Sequence, residues 1–138
     1  MLFRSWKPFP DTVAALKKLK SRYKLAIISN TDDDLFADTA RLLEVSFDWV
    51  ITAQQAGSYK PSHHNFKLAL ERIALPPEQV LHVAQSIYHD IVPARELGLA
   101  TVWVNRRAGK HGEGATKAAQ GQPDLEVPDL KTLAEMAE

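Results

Sequence analysis

Val80-Leu81-His82-Val83-Ala84-Gln85-Ser86-Ile87-Tyr88-His89-Asp90 is the stretch that decides the fold of this chain. Its first five residues read as a short buried strand. Asp90 to Leu97, with Pro93 in the first turn and Gly98 as the stop, reads as the helix that follows. Residues 85 to 90 are therefore a strand-to-helix crossing, the place where ligands gather at the carboxyl edge of an open α/β sheet. Ser29-Asn30-Thr31 and Lys60-Pro61 stand at two comparable positions, so three polar stations follow three successive strands.

Working outward, Asp11 is placed to cap a helix with Val13, Leu16 and Leu19 on one face and Lys17, Lys18 and Lys20 outside, ending near Arg22. Lys24 to Ser29 is a nearly continuous apolar strand, the mark of a parallel strand covered on both faces. Asp32, Asp33 and Asp34 then crowd the first turn of a helix through Leu43, where negative charge suits the helix dipole. Phe47 to Thr52 reads as a strand, Pro61 to Ile73 as a helix, and Thr101 to Val104 as the fourth main strand. Residues 106 to 122, rich in Gly, Ala, Lys and Arg, read as a mobile loop, and Asp129 as the cap of a last helix through Leu130, Leu133 and Met136. This alternation predicts an α/β fold with a parallel sheet, helices on both faces and right-handed crossovers.

The length of 138 residues suits one domain, and 45% apolar with 25% charged residues is ordinary for a soluble fold. Seventeen basic residues balance seventeen acidic ones, so nothing in the charge points to nucleic acid or to a membrane surface, and small or locally charged partners are left open. Without cysteine there is no disulfide, thiol nucleophile or thiolate metal site. Met1 to Trp6 lacks the apolar core of a signal peptide, and the cytoplasm is the expected location.

Each station has a bland reading beside a chemical one. The Ser29 hydroxyl and the backbone N–H groups of Asn30 and Thr31 suit an anion, yet the same three residue types commonly cap helices. Lys60, fixed before Pro61, is placed to reach a phosphate or carboxylate, or is a solvated loop lysine. Asp90 either caps its helix or projects into the site as a metal ligand or as the partner of Lys60. His63 and His64 point about 100° apart on a helix and His82 sits on a buried strand, so a zinc site is not expected. The acidic triplet at 32 to 34 lacks the glycine and glutamate of a calcium loop, and Trp103 is expected in the core.

In this order the stations resemble the haloacid dehalogenase (HAD) superfamily, and most closely its type II haloacid-dehalogenase-like branch. Ile28-Ser29-Asn30-Thr31 looks like the second family motif, Gly57-Ser58-Tyr59-Lys60-Pro61 the third and Val83 to Asp90 the fourth; Gly98 to Arg106 is also similar to that branch. The resemblance implies that Ser29, Asn30, Thr31 and Lys60 hold an anionic substrate or intermediate, that Lys60 neutralises charge near a nucleophile, and that Asp90 anchors Lys60 or a metal. It implies hydrolysis of 2-haloacids or phosphate esters through an aspartyl intermediate.

Two departures qualify that expectation. Family members begin with a strand ending in an Asp-x-Asp type motif that supplies the nucleophile, followed by a cap segment; here neither is found, and Asp11, which opens a helix after Phe9-Pro10, is a poor substitute. Residues 1–138 are thus expected to form a single partial HAD-like (Rossmannoid) core domain, missing the first strand and the cap, inactive or impaired because loss of a nucleophile costs several powers of ten in rate. The alternatives are a non-catalytic anion-binding or assembly module, or a subunit completed by another chain. Phosphatase members usually carry Asp where Gln85 stands, so Mg²⁺ is disfavoured and no cofactor is expected. The family places its first strand between those at Val80 and Lys24, and its loss bares two edges. Three arrangements would cover them: direct pairing of the two strands, insertion of Leu2-Phe3-Arg4, or a homodimer.

Overall fold

The computed structural model describes residues 10–106 and 122–137. In chain order the elements are α1 (Pro10–Lys20), β1 (Ala26–Ser29), α2 (Asp33–Leu43), β2 (Trp49–Thr52), α3 (Ala53–Ala56), α4 (His63–Ile73), β3 (Leu81–Ala84), a π-helical turn (Ile87–Ile91), α5 (Val92–Glu96), β4 (Ala100–Val104), β5 (Leu125–Val127) and α6 (Leu130–Met136). All strand pairs are parallel, as the apolar runs and intervening helices predict.

The strands fall into two sets among the described residues, β1-β2 and β3-β4-β5. Ile28 pairs in register with Ile51, and Val83 with Val102. β1 and β3 do not pair with each other, which rules out the first arrangement for covering their edges. Leu2-Phe3-Arg4 lies outside the described residues, as does most of the loop read at 106 to 122.

Period-two alternation divides β3 and β4 between two cores. Val83, Val102 and Val104 point to one face, where Val127, Leu130 and Leu133 close a cluster under α6. On the other face Phe66, fully buried, packs with Ala94 and Leu99 and against Ile28, Leu70, Val80 and Leu97. The cluster around Phe66 thus draws on residues from both strand sets, Ile28 from β1 and His82 from β3, and α4 carries its central ring.

Several element ends differ from their sequence reading for local reasons. α1 starts at Pro10, so Asp11 lies inside the first turn and its side chain outside the described residues. α2 is capped by Asp32, whose Oδ1 accepts from the N–H of Leu35 at 2.7 Å; Ser29, Asn30 and Thr31 are not its cap. Asp90 does not open a helix either, because the π-helical turn begins three residues earlier with Ser86 as its cap. Asp129 caps α6 through the N–H of Thr132, as read. β5 has only Val127 buried, too short a signal for a periodicity window. Trp103 is half-buried rather than a core residue, and its indole N–H donates to the Gln85 carbonyl at 2.9 Å.

Phe66→Ala is expected to destabilise the domain by about 3–5 kcal/mol, because it removes the ring that fills the junction. Urea unfolding followed by circular dichroism measures this; a loss under about 1 kcal/mol would show that the two strand sets are held by something else.

Candidate active site

The three stations converge at the carboxyl ends of β1 and β3. The Lys60 ammonium donates to the Ile28 carbonyl at 3.0 Å and to Asp90 Oδ1 at 2.8 Å. His82 reaches the same oxygen from β3, its Nε2 2.9 Å away. All three side chains are largely enclosed, with side-chain exposures of 13% for Lys60, 14% for His82 and 7% for Asp90. An ammonium carries three donors, so Lys60 keeps one for a further acceptor.

Asn30 fixes the lysine from behind. Its Oδ1 accepts from the Lys60 N–H at 2.7 Å while its Nδ2 donates to the Lys60 carbonyl at 3.3 Å. The Lys60-Pro61 peptide is cis, and Gly57, in the left-handed region at φ 70°, closes the short α3 just before it. Behind this loop the fully buried Asn65 side chain accepts from the Ser58 hydroxyl at 2.7 Å and donates to the Ser58 carbonyl at 2.8 Å. At the end of β1, Ser29 Oγ and Thr31 Oγ1 share a hydrogen bond of 2.7 Å. Of the sequence stations, Lys60 and Asp90 meet directly, Asn30 joins them through its side chain as a clamp on the Lys60 backbone, and Ser29 and Thr31 bond each other at the neighbouring strand end.

His82 is the residue whose place in this cluster the sequence reading missed. Its ring leaves β3 on the Phe66 face, with the two rings edge to face at 5.1 Å. The signal was present: one polar side chain in an apolar strand that ends where Asp90 begins to turn back. His63 pairs instead with Glu96 at 2.8 Å on the exposed side of α4, away from the cluster.

The electrostatics follow from enclosure and pairing. Burial pushes the Asp90 carboxyl up, but the His82 hydrogen bond and the Lys60 charge outweigh it and hold the group below its ordinary value of 3.8. No cluster of three or more His, Asp or Glu side chains with metal-ligand geometry occurs among the described residues. Asp90 Oδ1 already receives a lysine ammonium, a poor neighbour for a divalent cation.

The lysine-carboxylate pair thus stands at the carboxyl edge of a parallel α/β domain, where open sheets of this class bind their ligands. Residues 1–98 match the family model of the haloacid dehalogenase-like hydrolases, and the chain belongs to that family. It is 32% identical over 132 residues to (S)-2-haloacid dehalogenase H-109 of Pseudomonas putida, covering 93% of this chain and 56% of that one. To the glyceraldehyde 3-phosphate phosphatase of Methanocaldococcus jannaschii it is 36% identical over 101 residues, 70% of this chain and 43% of the other. The crystal structure of L-2-haloacid dehalogenase PA0810 superposes with a TM-score of 0.84 at 32% identity, over 98% of this chain and 58% of that one. The chain thus spans little more than half the length of these dehalogenases.

Asp90→Asn is expected to cost about 3–5 kcal/mol at pH 7, because it strips the countercharge from an enclosed ammonium. A carboxyl with a depressed folded value contributes stability above its unfolded value and loses it as pH falls through the folded one. The gap between wild type and Asp90→Asn in urea unfolding should therefore be full above about pH 5 and close below the ordinary value of 3.8. A gap that stays constant down to pH 2 would assign the loss to packing.

Proposed function

We propose that this chain carries the anion-holding half of a haloacid dehalogenase-type site, for a 2-haloacid or a phosphate ester, and does not by itself complete the covalent step. The observation that carries this reading is the Lys60 ammonium, fixed by the Ile28 carbonyl and Asp90 with one donor left over, at the end of the strand that carries Ser29. Lys60 supplies the charge, Ser29 a hydroxyl donor, and Asn30 holds the lysine backbone in place. Asp90 is no substitute nucleophile: its Oδ1 is shared by two donors and its depressed basicity lowers its nucleophilicity. The same crowding at Oδ1 supports work without Mg²⁺.

Sulfate and 2-chloropropionate should bind with 1:1 stoichiometry by calorimetry, and Lys60→Ala should weaken both by about tenfold or more, the worth of one charge-assisted hydrogen bond. Chloride release from 2-chloropropionate should stay at the background rate. Release that disappears in Lys60→Ala would overturn the inactive assignment, and unchanged binding in Lys60→Ala would overturn the site.

A second reading, favoured by the edges of β1 and β3 that no strand pairs among the described residues, is that another copy or another chain completes the sheet. Light scattering on the purified chain is expected to give a dimer mass for a homodimer; a monomer at all concentrations would remove that version.

A further inference from the structure

Lys60, Asp90 and His82 form an enclosed charge set whose sum depends on one proton. With His82 neutral and donating from Nε2, the ammonium and the carboxylate cancel, and an incoming anion meets a site of zero net charge. With a second proton on Nδ1, the set carries one positive charge. From this we infer that His82 is a positioning residue that couples anion binding to proton uptake: it acts through the Asp90 oxygen it shares with Lys60, and its protonated form is the one that matches an anion at Lys60. The inference rests on the anion site proposed above and goes beyond it by assigning the site its charge-setting group.

The surroundings favour His82 as that group. Asp90 and Lys60 are the charged side chains in hydrogen-bonded contact with the cluster. β4, which flanks β3, offers no titratable side chain from Ala100 to Val104, and α4 presents Phe66 to the ring. In the π-helical turn the Tyr88 and His89 rings meet edge to face at 4.9 Å, with His89 Nδ1 on the Ser86 hydroxyl at 2.9 Å. Asp90 is held below its ordinary value and so stays ionised across the range where an imidazole ordinarily titrates, about pH 5 to 8. Because His82 and Lys60 bond the same oxygen, protonating the imidazole draws the carboxylate toward itself and loosens its hold on the ammonium. Charge and geometry thus change in the same direction.

The test is calorimetric titration with sulfate, whose charge is constant over the range, at half-unit steps from pH 5.5 to 8.5. It is run in two buffers of different ionisation enthalpy, on the wild-type chain and on His82→Gln. Gln keeps a donor for Asp90 but does not titrate. Wild-type affinity should fall by about tenfold or more from the acid to the alkaline end, with up to one proton taken up per sulfate. His82→Gln should bind with the weak alkaline-limb affinity at every pH and take up no proton. A wild-type affinity independent of pH, no uptake in the paired buffers, or a slope that survives in His82→Gln would each overturn the inference. The paired-buffer measurement on the wild type decides the matter even if His82→Gln does not fold. Sulfate binding that needs Lys60 but is flat with pH would sink this inference alone; no sulfate binding at any pH would sink the anion site with it.

Discussion

One carboxylate oxygen, Asp90 Oδ1, holds this site together. Three stretches of chain far apart in sequence end on it or beside it: β3 through His82, the loop before α4 through Lys60, and β1 through the carbonyl that shares the Lys60 ammonium. Two enclosed donors on one acceptor are tolerable because both gain from its charge, and the acceptor in turn stays ionised because of them. Remove the oxygen's charge and an enclosed ammonium is left without its countercharge. The π-helical turn that carries Asp90 serves this arrangement, since it sets the carboxylate back over β3 instead of leaving it at a helix cap.

The second constraint is the division of the strands. Two parallel sets share no ladder among the described residues, yet the domain superposes closely on a far longer dehalogenase. Among the described residues, the side chains that join them are the cluster around Phe66 in the junction and the Lys60 bridge above it. An apolar ring resists separation without specifying register; the lysine bridge specifies geometry with little apolar burial.

Much of this was legible in the sequence. The strands read at 24 to 29, 47 to 52, 80 to 84 and 101 to 104 enclose or nearly match those found at 26 to 29, 49 to 52, 81 to 84 and 100 to 104, because their middles are apolar save for His82. The three polar stations were legible from where they fall, at strand ends. Less legible was how each residue is used. Ser29, Asn30 and Thr31 have the composition of a cap, and only the backbone shows that Asp32 takes that role. Asn30 clamps Lys60 across thirty residues of chain, a relation that no local window contains. His82 looked like a lone polar residue on a strand because its partner arrives by way of a turn whose pitch is not helical in the usual sense. β5 escaped notice because three residues carry too little pattern.

The indole of Trp103 leads somewhere else. It donates to the carbonyl of Gln85, at the root of the same turn that places Asp90, from a half-exposed position on β4. The chain has three tryptophans, and in the described residues the other, Trp49, lies on β2 beside the Lys24 ammonium at 5.8 Å. The emission of an indole depends on the polarity around its ring and on its hydrogen bond. The protein therefore carries a built-in optical gauge one strand away from the Lys60–Asp90 cluster, readable in a cuvette without any label.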